Sequence, residues 1–79
     1  MASHDDLDPT LWHTYRRELF PDGGVWLHQI RCRDGMWARR VLSEHPCGTY
    51  SVVMRSADVS DKDGWADFER ACVRLGATA

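Results

Sequence analysis

The chain has 79 residues, 43% of them apolar and 28% charged, with a formal net charge of −2. That length supports one small domain, which buries only about 60% of its unfolded surface, and the composition excludes an intrinsically disordered chain. The near-neutral charge excludes a global attraction to nucleic acid or membrane, and no apolar run approaches the ~20 residues that would span a bilayer.

Residues 1–8, MASHDDLD, are acidic and carry no hydrophobic signal region, so they are expected to form a flexible lead-in to a single domain over 9–79. Asp8-Pro9 resembles a helix N-cap followed by proline at the first helical position. Leu11, Trp12, Tyr15 and Leu19 follow at helical spacing and predict a short amphipathic helix over 9–20, ended by Pro21-Asp22-Gly23-Gly24.

Arg33-Asp34-Gly35-Met36 is a two-residue hairpin signal, because Asp-Gly tolerates the positive φ angles of a type I′ turn. A turn centred there sets Arg33 opposite Met36, Cys32 opposite Trp37, Ile30 opposite Arg39, His28 opposite Val41 and Trp26 opposite Ser43. Opposed residues share a face. One face then carries Trp26, His28, Ile30, Cys32, Trp37, Arg39 and Val41, and is assigned to the core. The other carries Val25, Leu27, Gln29, Arg31, Arg33, Met36, Ala38, Arg40 and Leu42, and is assigned to solvent or a partner. A one-residue slip would exchange the faces of one strand.

Glu44 to Gly48 reads as a loop, and Thr49 to about Ala57 as a third strand. Its more apolar set, Tyr50, Val52 and Met54, is expected in the core, which leaves Arg55 beside Arg31, Arg33 and Arg40. Ser60 is a helix N-cap with Asp63 in the capping-box position. Trp65, Phe68, Cys72 and Leu75 make one apolar stripe, Asp63, Asp67, Arg70 and Arg74 lie opposite, and Gly76 is a natural C′ residue. Trp12 and Tyr15 are expected to pack beside that stripe. The predicted fold is α+β with the order α-β-β-β-α: a three-stranded antiparallel meander with both helices packed on one face.

Charge is unevenly placed. Residues 1–8 and 58–69 hold eight of the twelve acids, whereas residues 31–55 hold five of the nine arginines, so the domain is expected to be dipolar. One lysine beside nine arginines suits a GC-rich bacterial or phage genome, an inference about codon supply alone. Cys32, Cys47 and Cys72 form no CxxC pair, which with the missing signal region points to a cytoplasmic chain with reduced thiols.

His45 and Cys47, with His28 and Cys32 on a nearby strand, supply only one half-pair of a zinc site, so no metal or other cofactor is expected. A Cys47–His45 nucleophilic pair would also need an orienting third group and an oxyanion site, and neither is recognisable. The chain also offers little room for a ~300 Å³ substrate pocket. No enzyme is expected. The acids around Asp61 sit at a helix N-terminus, where negative charge is favourable without any partner.

The arginines give the sharpest signal. Arg31, Arg33, Met36, Arg40 and Arg55 form the candidate partner-binding set, since guanidinium groups fork onto carboxylate or phosphate and stack on flat rings. The competing structural reading is a solvated sheet face whose arginine stems cover apolar neighbours and discourage aggregation.

Three strands and a closing helix, WADFERACVRLGA, over about residues 25–76 are similar to the sheet-type DNA readers, namely phage-integrase arm-binding domains and plant ethylene-response-factor domains. The α-β-β-β-α order also resembles a double-stranded-RNA-binding domain, although the last helix starts SDKDGWADF rather than with basic residues. In size, charge separation and lack of catalytic parts, the chain resembles the small phage-type inhibitors of host defence, such as anti-CRISPR proteins. That resemblance implies a stoichiometric protein that blocks a bacterial nucleoprotein machine by occupying an acidic protein surface. The alternative is a small DNA- or RNA-binding module using the same face. A homodimer pairing its edge strands is compatible with either.

Overall fold

The computed structural model describes residues 7–74. Strands β1 (His13–Leu19), β2 (Val25–Arg33), β3 (Met36–Glu44) and β4 (Tyr50–Val59) are followed by one helix, α1 (Asp61–Arg74). The strands form one antiparallel sheet in chain order, β1-β2-β3-β4. The domain is α+β as expected, but with four strands in place of three and a single helix among the described residues.

The correction lies in residues 9–20. The Leu11 amide donates to the Asp8 carbonyl at 3.2 Å and the Thr10 amide to Asp8 Oδ1 at 2.9 Å, so Asp8-Pro9 opens a turn, not a helix. The Cys32 amide then donates to the Pro9 carbonyl at 2.7 Å and ties this turn to the end of β2. From His13 the chain pairs with β2, with a bulge between Thr14 and Arg16. Trp12, His13, Thr14 and Tyr15 are aromatic or β-branched, types that suit a pleated surface. An isolated helix of 12 residues is marginal in water, whereas β2 offers a full ladder of partners. The lead-in assigned to 1–8 lies outside the described residues except for Leu7, which packs against the core, and Asp8.

The β2–β3 hairpin has the expected register throughout, from Arg33 opposite Met36 to Trp26 opposite Ser43. Asp34 (φ 52°) and Gly35 (φ 75°) supply the paired positive φ angles of a type I′ turn. Strand β4 departs from simple alternation. Register shifts fall between Val41 and Leu42 and between Trp37 and Arg39, so Val52 pairs with Leu42 on one face and Met54 with Val41 on the other. Tyr50 and Val52 therefore share the arginine face rather than the core, and Tyr50, Val52 and Met54 are all exposed.

Helix α1 packs chiefly on β1, then on β2 and β3. Ser60 caps it as expected, with its Oγ accepting from the Asp63 amide at 3.2 Å. The core is Ile30, Trp37, Phe68 and Cys72, with Leu7, Tyr15, Cys32 and Val59 against it. Trp65 departs from its expected core place. It is 56% exposed and meets Trp37 edge-on at 5.1 Å between centroids. Gly64 takes the buried position over Trp37, and a Cβ there would overlap the indole ring. Leu75 and Gly76 lie outside the described residues.

Asp67, expected opposite the apolar stripe, is instead buried, at 1% exposure. Arg39 explains why. It projects from β3 on the helix side and places Nη2 2.6 Å and Nε 2.7 Å from Asp67 Oδ2, while Arg70 Nη1 lies 2.8 Å from Oδ1. Both carboxylate oxygens are satisfied, as a buried charge requires. Beside it, burial and the Asp67 charge push the Tyr15 phenol above its ordinary pKa.

Candidate functional site

The sheet face turned away from α1 is uncovered. The β2–β3 register places Gln29 and Arg31 beside Arg40 and Ala38, and β4 adds Arg55 directly opposite Arg40. Arg31, Arg40 and Arg55 are thereby brought together as the hairpin signal implied.

Trp12 joins them. Following the Asp8–Leu11 turn, its ring lies over this face, and the Cζ atoms of Arg31 and Arg40 are each 4.5 Å from its centroid. The two guanidinium carbons are thus no further apart than twice that distance. Such cation–π contacts contribute about 0.5–1 kcal/mol each at exposed sites. Trp12, Arg31, Ala38, Arg40 and Arg55 are among the residues lining a cavity of about 490 Å³, more room than the ~300 Å³ that so short a chain was expected to lack.

Arg40 is held in place from the side. Its Nε donates to Gln29 Oε1 at 2.7 Å, and Gln29 Nε2 donates to Thr14 Oγ1 at 3.0 Å. A β1 hydroxyl, a β2 amide and a β3 guanidinium form one chain across three strands. The Nη groups of Arg40 are left for other acceptors.

No carboxylate of the described residues pairs with Arg31, Arg40 or Arg55. Partial burial, followed by the repulsion of Arg31 and Arg55, lowers the pKa of Arg40 below the ordinary guanidinium value. It stays charged at neutral pH, because arginine is not deprotonated in proteins. The cavity is thus a concentration of unneutralised positive charge, partly shielded from water, with fixed donors. Arg39, next in sequence to Arg40, is the contrast: it reaches to the helix side and is neutralised by Asp67.

The remaining members of the candidate set stand apart from the cavity. Arg33 Nε donates to the Thr10 carbonyl at 3.1 Å, which holds the N-terminal turn against β2. Met36 is 63% exposed at the hairpin end. Both flank the turn at the rim of the face.

The cysteine and histidine candidates are dispersed. His28 Nε2 lies 3.0 Å from Glu18 Oε1, and His45 Nε2 lies 2.7 Å from Ser51 Oγ. Cys47 Sγ lies 3.0 Å from Thr49 Oγ1, and hydrogen bonding to Thr49 lowers its thiol pKa. Cys72 is buried in the core, and burial raises its thiol pKa. Among the described residues no three His, Cys, Asp or Glu side chains converge as a metal site. No helix of the described residues is long and apolar enough to cross a membrane.

Three residues of the site escaped the reading of the sequence: Trp12, Thr14 and Gln29. Gln29 was placed on the correct face but given no role. Trp12 and Thr14 were assigned to a helix, and the aromatic and β-branched run WHTY was the signal that could have placed them in a strand. The chain matches no protein-family model, no curated protein and no solved structure.

Proposed function

We propose that the chain is a non-enzymatic binding protein that docks its arginine-bearing sheet face on an acidic surface of a bacterial protein and acts by occluding it. In this reading it inhibits a defence nucleoprotein complex in the cytoplasm, in the manner of the anti-CRISPR-like inhibitors that it resembles in kind, and uses no cofactor. The observation that carries the reading is the pair Arg31 and Arg40 over Trp12 with Arg55 opposite Arg40: three cations on one sheet face with no carboxylate partner among the described residues. A docking face takes its neutralising charge from the partner. The aromatic and arginine content is also the composition in which binding energy concentrates.

The test is restoration of plaque formation by a targeted phage in a bacterium whose nucleoprotein defence is active. Expression of the wild-type chain restores plaques, and the Arg31→Ala, Arg40→Ala double variant does not. Wild-type expression without effect on several such defences would remove the inhibitor reading.

The same cluster favours a second reading, a small DNA- or RNA-binding module. Phosphate contacts give an affinity that falls log-linearly with salt, by about 0.9 in the exponent per contact on duplex DNA. Anisotropy with random duplex from 50 to 200 mM salt separates the two. A protein-directed inhibitor leaves the duplex unbound at 150 mM salt while still holding its partner.

A further inference from the structure

We infer that the cavity between Trp12, Arg31, Arg40 and Arg55 is a site for a phosphate monoester dianion. The inference rests on the reading of this face as the binding surface and narrows what that surface recognises. Arg31, Arg40 and Arg55 line the cavity together, and no acid of the described residues pairs with any of them. A carboxylate carries one charge and two oxygens, and one forked arginine satisfies it. It would leave two of the three cations unneutralised in a partly dehydrated cleft. A monoester carries about two charges and three acceptor oxygens, which match three donors approaching from separate strands.

The donors are also arranged before any ligand arrives. Gln29 takes up the Nε of Arg40 at 2.7 Å and is itself anchored by Thr14, so the terminal nitrogens of Arg40 are presented in a set direction. Trp12 draws Arg31 and Arg40 to one place through its ring. Positioned donors lose less conformational entropy on binding than free surface arginines. Ala38, Ser56 and Ala57 complete the lining with small side chains.

The measurement is isothermal titration of the full chain with phosphoserine and inorganic phosphate, against glutamate and acetate at matched ionic strength. Phosphoserine is expected to bind at least roughly tenfold tighter than glutamate, since the charge-assisted hydrogen bonds beyond a single fork are absent for a carboxylate. Its affinity should rise roughly tenfold between pH 5 and pH 7.5, following the second ionisation of the monoester near 6. The charged residues lining the cavity are Arg31, Arg39, Arg40 and Arg55, none of which titrates in that interval.

Arg55→Ala, at an exposed position of β4, should lower phosphoserine affinity roughly tenfold with little change in the melting temperature. Gln29→Leu should lower it less and be unable to alter the pH profile. Equal affinity for glutamate and phosphoserine, or a flat pH profile, overturns the inference while leaving a carboxylate-binding face in place. An oligodeoxynucleotide without terminal phosphates that binds more tightly than phosphoserine overturns it in favour of a diester strand. If neither phosphoserine nor poly-glutamate binds, both the inference and the reading on which it rests are wrong.

Discussion

Gly64 shows how one missing carbon sets the helix position. Its Cα sits on the Trp37 indole, and any side chain would push α1 off the sheet. Gly64→Ala is expected to destabilise the fold by about 1–3 kcal/mol, the cost of overpacking, in chemical denaturation. Asp67 works by the opposite logic: it is buried because Arg39 and Arg70 satisfy both its oxygens. Asp67→Ala should cost about 3 kcal/mol, since Arg39 is left under the helix without its counter-charge. Tyr15, beside Asp67, has a folded-state pKa above its ordinary value. The unfolded chain therefore loses its phenolic proton first as the solution becomes alkaline. The contribution of Tyr15 to stability should be fully present below pH 10, the ordinary tyrosine value, and be lost as pH rises through the folded pKa. Tyr15→Phe should flatten that fall in pH-dependent melts. The three thiols should separate by reactivity. Cys47, exposed and lowered by Thr49, reacts with a soluble disulfide reagent first, and Cys72 reacts only on unfolding.

At the scale of the element, β1 and α1 compare two uses of helical spacing. In 61–74 the N-cap, the acidic first turn and the stripe through Phe68 and Cys72 agree with one another, and the helix forms. In 9–20 the spacing of Leu11, Trp12, Tyr15 and Leu19 conflicts with the strand preference of the residues themselves. The sheet decides the conflict, because β2 would otherwise present an open edge. In the strand, Leu19 is 67% exposed, so the apolar spacing was not a buried stripe at all. Ser60→Ala should weaken α1 by about 1 kcal/mol through loss of its cap, measured as a lower melting temperature. The Asp34-Gly35 turn sets the register of the whole β2–β3 hairpin, and with it the faces on which Arg31, Arg33, Arg39 and Arg40 lie.

For the molecule as a whole, one helix on a four-stranded sheet leaves two unequal surfaces. The helix side buries Asp67 and the core of Ile30, Trp37, Phe68 and Cys72, and the opposite side gathers Arg31, Arg40 and Arg55. Charge separation is therefore built by strand alternation within neighbouring residues: Arg39 is neutralised beneath the helix and Arg40 is not. The Trp12→Ala variant should keep the cooperative unfolding of the wild type, because Trp12 is absent from the core, and yet weaken anion binding several-fold as Arg31 and Arg40 lose their shared platform. A combined loss of fold and binding would instead place Trp12 among the residues that hold the domain together.

The local signals in the chain were enough for the β2–β3 hairpin, its register, the capped C-terminal helix and the face shared by Arg31 and Arg40. Each of these depends on interactions within a few residues or across one tight turn. The fate of residues 9–20, the burial of Asp67 and the gathering of Thr14, Gln29 and Trp12 around the arginines depend on contacts between segments far apart in the chain. No periodicity records them. A strand finds its partner, a carboxylate finds its guanidinium and an indole finds its cations only after the sheet has brought them within reach, and at that distance tertiary contacts outweigh the weak local preferences of a 12-residue segment.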